Sequence, residues 1–288
     1  MLCQLKQVKK YFPVRKGLLT GSQTFVKAVD HVDFTINAGE NIGLVGESGS
    51  GKTTLGRLLL KLIPLDSGQI IFDGQDLSRL NVRQMIPYRK QMQMVFQDPY
   101  NSLDPRFSIR RVMLEAMIFD KEASQKEKEK RIEEMLESLR LPTNILSRFP
   151  HEFSGGERQR IAIARSLIMK PKLLILDEAV SSLDVLIQEE ILRLLMDLQK
   201  KMDVTYFFIS HNLRVIKKIS QKIAVMFNGK IVESAQADDL LENPIHPYTQ
   251  ELLAAALHYR SVPRTFSVNW GRETRLRDCG NNHFVIGE

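Results

Sequence analysis

Cysteine is scarce in this sequence, and its positions exclude several kinds of site. The 288 residues contain two cysteines, Cys3 and Cys279, near opposite ends of the chain. Zinc and iron–sulfur sites need closely spaced cysteines, and small secreted domains need several pairs. We therefore expect no such metal centre and no disulfide framework. Two isolated free thiols are typical of a protein in a reducing compartment.

Long apolar runs are also absent. No stretch approaches the ~18 consecutive apolar residues that a membrane-spanning helix requires. The first residues, MLCQLKQVKKYFPVRKG, lack the apolar core of a secretory signal peptide, so we expect none here. A hydrophobic fraction of 43% and a charged fraction of 26% are typical of a globular chain. The net charge of +7 fits nucleic acid, an anionic membrane surface or an anionic ligand equally well.

Short apolar runs predict several strands. Residues 24–36 alternate in part and are rich in β-branched side chains, which is typical of a strand. Nearly continuous apolar runs, typical of buried strands, are NIGLVG (41–46), LLILDE (173–178) and VTYFFIS (204–210). A further strand lies between two turns in DSGQIIFDG (66–74). Because such strands alternate with helical segments, we expect a mostly parallel sheet covered on both faces.

Two segments show the spacing of amphipathic helices. After Lys52, apolar residues recur at helical intervals at Leu55, Leu58, Leu59 and Leu62. The segment 121–139 is heavily charged, yet it places on one helical face Ile132, Met135, Leu136 and Leu139. The second pattern predicts an exposed helix and suggests a helical insertion between about residues 100 and 165.

A glycine-rich segment joins a predicted strand to the first of these helices. Residues 46–53, GESGSGKT, match G-x-x-x-x-G-K-[ST] at every fixed position. Glycines let backbone N–H groups wrap a phosphate chain, and the helix N-terminus adds a favourable dipole. A bare glycine-rich turn is the alternative, but the strand–loop–helix context favours a P-loop. The predicted nucleotide-binding residues are Gly46, Glu47, Ser48, Gly49, Ser50, Gly51, Lys52, Thr53 and Thr54.

An acidic pair follows the apolar strand 173–176. Asp177 and Glu178 stand at its carboxyl end, which is the edge where open parallel sheets bind ligands. Asp177 can hold the hydration shell of Mg²⁺, and Glu178 can position and polarise an attacking water. Alone such a pair is a weak signal, but combined with Lys52 and the Thr53 hydroxyl it predicts phosphoryl chemistry on ATP with Mg²⁺.

Four further motifs make the chain resemble the ATP-binding subunits of ABC transporters. FSGGERQ (153–159) resembles the signature motif, and VFQD (95–98) resembles the Q-loop. SSLD (181–184) resembles the D-loop, and ISH (209–211) resembles the switch histidine. The resemblance implies an α/β P-loop NTPase (RecA-like) fold: a mostly parallel sheet, an antiparallel β part and an inserted α-helical subdomain.

The resemblance also implies a role for each motif. Ser154, Gly155 and Gly156 would bind the γ-phosphate of ATP held by an opposite subunit. Gln97 would contact Mg²⁺ or water, and His211 would hydrogen-bond the γ-phosphate. The implied catalytic group is Glu178, His211, Gln97 and Lys52, and the implied metal ligands are Thr53, Gln97 and Asp177. An aromatic residue near position 12 would stack on adenine: Phe12 fits by its spacing from Val8, and Tyr11 is the alternative.

Three positions depart from the commoner family pattern. Glu157 stands where many members have glutamine, a variant that occurs in related importers, so we expect little effect. Asn212 follows the histidine where aspartate is common, and no consequence is predicted. DEAVSSLD (177–184) differs from DEPTSxLD, but its alanine–valine form resembles the peptide importer branch.

The dipeptide and oligopeptide importer branch is the closer resemblance. It rests on GESGSGKTTLGRLLL (46–60), VFQDPYNSLDPR (95–106), DEAVSSLD (177–184) and NPIHPYTQELLAA (243–255). The N-terminal excursion YFPVRKGLLTGSQTFVKAVD (11–30) resembles the second, F-type ATPase of such importers. We expect an ABC ATPase domain over 1–257, a helical subdomain inserted at about 98–165, and a C-terminal extension over 258–288. The branch's cysteine-rich cluster segment is not carried over, because only Cys279 lies there.

The resemblance implies an importer motor at the cytoplasmic face of the cell membrane. Its partners would be two multi-span permease subunits, a second homologous ATPase and an extracytoplasmic solute-binding protein, with no direct nucleic acid contact. Peptides are the favoured cargo. The alternatives are nickel or metal-chelate uptake by the same motor, and a soluble ABC protein acting on ribosomes or nucleic acid. The choice between a homodimer and a heterodimer, and the role of 258–288, stay open.

Overall fold

The structure, a computed structural model, describes residues 1–14, 24–97, 102–257 and 276–286. Residues 15–23 of the N-terminal excursion, Asp98 of the Q-loop motif and Trp270 lie outside the described residues. The chain divides into two units. Unit 1 comprises Met1–Leu80 and Phe208–Glu288, and unit 2 comprises Asn81–Phe207.

Strands and helices alternate through most of the described chain. The strands are β1 (Cys3–Val14), β2 (Thr24–Ile36), β3 (Asn41–Val45), β4 (Ser67–Phe72), β5 (Gln75–Asp76), β6 (Met92–Val95), β7 (Leu173–Asp177), β8 (Thr205–Ile209), β9 (Lys222–Phe227), β10 (Lys230–Gln236), β11 (Leu276–Asp278) and β12 (Phe284–Ile286). The α-helices are α1 (Lys52–Leu59), α2 (Ile86–Gln91), α3 (Ile109–Ala116), α4 (Gln125–Ser138), α5 (Gly155–Leu167), α6 (Val185–Met202), α7 (Leu213–Ile219), α8 (Ala237–Glu242) and α9 (Pro247–Leu257). Two 3₁₀ turns span Thr143–Ser147 and Pro150–Glu152.

Unit 1 contains two sets of paired strands. One sheet is antiparallel with the order β2-β1-β4-β5, and its long ladder pairs Cys3 with Ile36. In the other set the order is β11-β12-β10-β9-β3. There β3 and β9 run parallel, with Ile42 opposite Lys222, whereas the remaining described ladders of this set are antiparallel. Every residue of β3 is buried, as its continuous apolar run predicts.

Helix α1 is shorter than its apolar pattern predicts. Leu55, Leu58 and Leu59 are fully buried, so the predicted core face is confirmed for these residues. The helix ends at Leu59, and Lys61 has a left-handed backbone with φ of 52°. Leu62 therefore lies beyond the helix and is 45% exposed, so its assignment to the helical face was wrong. The left-handed residue turns the chain before the next apolar side chain can rejoin the core face.

Unit 2 combines a parallel strand pair with most of the longer helices. Strands β6 and β7 pair in parallel, with Met92 opposite Leu173. The charged segment forms α4, and its buried apolar residues are Ile132, Met135, Leu136 and Leu139, which confirms the predicted face. The helix starts later than predicted because Ser124 and Glu127 form a reciprocal capping box at its N-terminus. Residues 121–124 therefore precede the helix.

The sequence analysis assigned no secondary structure to the C-terminal segment that forms strands β11 and β12. They form an antiparallel pair, and β12 continues onto β10 with Glu233 opposite Val285. The segment 276–286 is thereby part of the sheet of unit 1. Among the helices of the described ranges, none combines the length and apolar character needed to cross a membrane.

Candidate functional site

The glycine-rich loop follows β3 and leads directly into α1. Gly46 has φ of 150° and Gly51 has φ of 110°, conformations that side-chain-bearing residues rarely adopt. A Cβ on Gly46 would overlap the carbonyl oxygen of Met226, and one on Gly51 would overlap that of Ala28. These two glycines are therefore required by close backbone approaches within unit 1. The helix N-terminus carries no side-chain cap, because its N-cap residue is Gly51.

Lys52 is 6% exposed and folds back over its own loop. Its Nζ donates to the carbonyl oxygens of Gly46 and Glu47, at 2.8 Å each, and lies 3.4 Å from Ser50 Oγ. A buried ammonium needs such acceptors to offset its desolvation. The loop thus holds a positive charge beside an uncapped helix N-terminus, an arrangement that favours an anion. Thr53, on the first turn, is half-buried.

A cavity of about 360 Å³ adjoins this loop in unit 1. Its lining residues are Val26, Lys27, Asp30, Gly49, Asn228, Gly229 and Lys230. Asp30 is held by the Tyr11 hydroxyl and by His31 Nδ1. Burial alone would raise the pKa of Asp30, but these hydrogen bonds outweigh it and the pKa lies below its ordinary value. The cavity is thus bounded by a carboxylate and two lysines as well as by the loop.

The two candidate aromatic residues occupy different environments. The Tyr11 hydroxyl is engaged by Asp30, and burial followed by that hydrogen bond raises the pKa of Tyr11 to about 12. Phe12 is 40% exposed, with the Lys10 ammonium 5.5 Å from its ring centroid. In β1 they pair with neighbouring residues of β2, Lys27 and Val26. Phe12 therefore offers an exposed ring, whereas Tyr11 is anchored by its hydroxyl.

The predicted switch histidine follows β8 in unit 1. Ser210 is buried and its N–H donates to Leu44 of β3, at 3.1 Å, so the strand end is fixed beside the strand that leads into the loop. His211 itself is exposed. Asn212 caps α7 by accepting the Arg214 N–H at 3.0 Å. Asparagine and aspartate are equally good N-caps, which accounts for the departure at this position.

In unit 2 the acidic pair stands where β7 ends. Asp177 is 2% exposed and is the last residue of the strand. Glu178 has a left-handed backbone with φ of 49°, a strained conformation that turns its side chain at the strand end. Gln97 Nε2 donates to Glu178 Oε2 at 3.2 Å. The structure thus brings together two of the predicted catalytic residues.

Ser181 supports this turn and was not among the predicted site residues. Its Oγ donates to the Glu178 carbonyl oxygen at 2.8 Å and lies 3.3 Å from Glu178 Oε2. Asp184 of the same D-loop motif caps α6 through the Ile187 N–H at 3.0 Å. The D-loop therefore has a local structural role: one residue braces Glu178 and another starts a helix. Its resemblance to the family motif was the signal that could have directed attention to Ser181.

The signature segment forms the N-terminus of α5 in unit 2. Ser154 is the N-cap, and its backbone N–H and Oγ both donate to Glu157 Oε2, at 2.9 and 2.8 Å. The Glu157 N–H returns to Ser154 Oγ at 3.3 Å. These contacts, the backbone one first, lower the pKa of Glu157 below its ordinary value. Gly156 packs against α6, where a Cβ would lie 2.8 Å from Ile187 Cγ2.

Comparison with known families and solved structures identifies the class of protein as a P-loop ATPase of the ABC class. The ABC transporter family matches residues 29–181. The chain belongs to the ABC transporter family as an ATP-binding, ATP-hydrolysing domain, which confirms the resemblance and the predicted fold class. Ligand contacts of individual residues stay predictions.

Within this family, the chain is similar to named oligopeptide transport proteins. The chain is 46% identical to the oligopeptide transport ATP-binding protein AppF of Bacillus subtilis over 88% of this chain and 78% of that protein. It is 40% identical to OppF of the same organism, over 99% of this chain and 95% of the relative. Among solved structures, the ATP-binding cassette MJ0796, dimeric and bound to ADP and Pi after hydrolysis, superposes with a TM-score of 0.72. That pair shares 26% identity and covers 82% of this chain and 99% of the other.

Proposed function

We propose that the chain is the motor subunit of an importer that takes up di- and oligopeptides across the cell membrane, acting at its cytoplasmic face. The observation that supports the cargo is the 40% identity to OppF over nearly the whole of both chains. Cargo recognition in this proposal lies on other subunits: two multi-span permeases and an extracytoplasmic binding protein. A second homologous ATPase completes the pair.

The nucleotide's phosphates are proposed to bind the loop 46–54. The uncapped N-terminus of α1 and the folded-back Lys52 ammonium supply the positive field. Lys52 would exchange its two loop carbonyls for phosphate oxygens. Magnesium would be held by Thr53, Gln97 and Asp177. Their hydroxyl, amide and carboxylate oxygens are hard ligands of the kind that Mg²⁺ accepts in small number, so the donor set fits the ion.

Hydrolysis is assigned to Glu178. Its carboxylate accepts from Gln97 and is braced by Ser181, so its orientation is defined before a substrate arrives. Glu178 would polarise the attacking water. Gln97 would move with the helical insertion and so couple that movement to Glu178. His211 would hydrogen-bond the γ-phosphate. We assign adenine stacking to Phe12, because its ring is exposed whereas the Tyr11 hydroxyl is occupied by Asp30.

The signature residues Ser154, Gly155 and Gly156 are proposed to bind the γ-phosphate held by the partner ATPase. In the described part of the chain, the Ser154 N–H and hydroxyl both donate within their own helix, to the Glu157 carboxylate. An incoming phosphate would have to compete with that carboxylate for the Ser154 hydroxyl. ATP would then join two subunits, and hydrolysis would release them.

Permease docking is proposed for a cleft in unit 2, within the predicted helical insertion (about 98–165). The cleft has a volume of about 670 Å³ and its lining residues are Ser102, Leu103, Asp104, Pro105, Arg106, Glu115, Ala116 and Arg165. Arg165 is anchored there by the Ser102 carbonyl oxygen. A concave surface with charged rims suits a short segment of a partner.

Affinity capture of the tagged chain from detergent-solubilised native membranes tests the proposal, with partners identified by mass spectrometry. Recovery of two multi-span proteins, a second ATPase and a peptide-binding protein is expected. A metal- or metallophore-binding protein would reassign the cargo, and ribosomal or DNA-bound partners alone would refute the transport role. Ala116→Arg fills the cleft and should abolish permease recovery, whereas Glu133→Arg on the exposed side of α4 should leave it intact.

A further inference from the structure

One side chain from the far end of the sequence contacts the phosphate-binding loop. The Tyr248 hydroxyl accepts the backbone N–H of Glu47 at 3.0 Å, across 201 positions of sequence. Tyr248 is 5% exposed, and its ring packs on Phe227 with centroids 4.1 Å apart. Burial raises the pKa of this hydroxyl to about 12, so it stays neutral near pH 7. The loop's second residue is thereby tied to helix α9.

The position of Tyr248 is itself fixed by the turn that precedes α9. The Tyr248 N–H donates to His246 Nδ1 at 3.1 Å, so this ring nitrogen is an acceptor. The N–H groups of Ile245 and His246 donate to the Glu233 carboxylate, at 2.7 and 3.1 Å. The first turn of the helix therefore cannot rotate without breaking several buried hydrogen bonds.

Glu233 connects this turn to the C-terminal strands. It is fully buried on β10, and its Oε1 lies 2.6 Å from His283 Nε2. His283 immediately precedes β12, which pairs with β10 at the same level of the sheet. A buried carboxylate needs every one of these donors, since an unpaired charge in such a place is costly.

We propose that Tyr248 is a positioning residue of the phosphate-binding loop, and that the Glu233–His283 pair holds it in place. The inference deepens the proposed function and rests on the loop binding phosphate. Ordering the loop before the nucleotide arrives lowers the cost of binding, because less freedom is lost on association. It also gives the segment 276–286 a purpose: the C-terminal strands brace the nucleotide site through one buried glutamate.

Tyr248→Phe is the decisive variant, because it removes one oxygen and keeps the packed ring. Tyr206→Phe is the matched control: Tyr206 is fully buried and its hydroxyl donates to the Leu195 carbonyl oxygen at 3.0 Å, on elements that carry no phosphate-binding residue. Both variants should unfold at similarly lowered temperatures. Titration of the full chain with MgATP should show about 5-fold weaker binding for Tyr248→Phe alone, as expected for one lost buried hydrogen bond.

Steady-state kinetics separate positioning from general destabilisation. Tyr248→Phe should raise KM for ATP and leave kcat close to wild type, and His283→Gln should shift KM in the same direction. Wild-type ATP affinity in Tyr248→Phe, or an equal loss in Tyr206→Phe, would overturn the inference. Lys52→Ala is measured in parallel. If it binds ATP normally the loop assignment itself fails, whereas loss in Lys52→Ala with none in Tyr248→Phe rejects only the positioning role.

Discussion

The P-loop and the signature loop are both helix N-termini, yet they are built differently. The P-loop in unit 1 has glycine at its N-cap, no acidic residue in the first turn and a buried lysine folded over it. The signature loop in unit 2 has Ser154 at its N-cap, and the Glu157 carboxylate accepts hydrogen bonds from the Ser154 N–H and hydroxyl. One terminus is left open for an anion, and the other already holds one.

A third helix shows which part of the signature loop is ordinary. Helix α4 begins with the same box: Ser124 N–H and Oγ donate to Glu127 Oε2, at 2.7 and 2.8 Å. The box is thus a general way to start a helix and carries no function by itself. What distinguishes the signature loop is the glycine pair that follows Ser154, with Gly156 packed closely against Ile187. The comparison predicts that the two loops respond differently to matched substitutions.

Glu178→Gln should have the largest effect, on the rate of ATP hydrolysis. Because ATP would then stay bound and uncleaved, the roles of the two loops in binding it can be compared. Removing the carboxylate that polarises water should slow hydrolysis about 100-fold or more. ATP binding should persist, and the closed pair should accumulate with MgATP, as measured by light scattering in the presence of the partner ATPase. Glu133→Gln, an exposed change on α4, is the control and should hydrolyse normally. Wild-type turnover in Glu178→Gln would contradict the assignment.

Lys52→Ala should remove the charge that makes the P-loop the stronger anion site. The loss of charge-assisted contacts should weaken ATP binding about 10- to 100-fold. Isothermal titration with MgATP measures the change. Lys61→Ala provides a matched lysine just beyond the same helix, whose Nζ donates to the Leu80 carbonyl oxygen, and it should bind ATP as wild type does. Equal binding by both variants would mean that the loop is only a turn.

Gly46→Ala and Gly49→Ala test whether the P-loop backbone is fixed by its surroundings. A Cβ at Gly46 meets the Met226 carbonyl oxygen, so a loss of about 2–4 kcal/mol in unfolding free energy is expected. Gly49 has φ of 82° but no atom within 4 Å of an added Cβ, so about 1 kcal/mol is expected. Thermal or denaturant unfolding distinguishes them, and equal losses would contradict the steric reading.

Ser154→Ala and Ser124→Ala should have the smallest and most similar effects on stability. Each removes one N-cap hydroxyl, which costs about 1 kcal/mol in unfolding free energy. Only Ser154→Ala should weaken ATP-dependent pairing, measured by light scattering in the Glu178→Gln background. Glu157→Gln keeps the hydrogen-bonding pattern and removes the negative charge, so pairing should strengthen slightly. Equal pairing defects in the two serine variants would show that the box, and not the signature, matters.

Local patterns predicted much of the fold. The strand over 24–36 and the buried face of α4 follow from periodicity, and the strand that leads into the P-loop follows from its continuous apolar run; all three are confirmed. Leu62 was wrongly assigned to the buried face of α1. The left-handed backbone at Lys61 takes the chain out of the helix, so helical spacing no longer predicts where Leu62 lies. The helix start at Gln125 was missed although its Ser-x-x-Glu spacing was available in the sequence.

The candidate site likewise contains residues that the sequence predicted and residues that only the structure identifies. Motif spacing selected the P-loop, the position after an apolar strand selected the acidic pair once Lys52 was recognised, and resemblance to the family selected the signature. Ser181 lies in the D-loop motif, whose resemblance to the family could have pointed to it. Tyr248 could not be found from spacing, because it reaches Glu47 only where the sheet of unit 1 brings distant segments together.

By itself, the sequence determined the family and the ATPase chemistry, since the glycine, lysine and acidic positions are set by local backbone geometry and charge. Only the tertiary structure decided what holds those groups still. The contact of Gln97 with Glu178 and the path from His283 through Glu233 to Tyr248 depend on residues far apart in the chain. Such contacts leave no periodic trace, because each is made by single residues that the fold brings together.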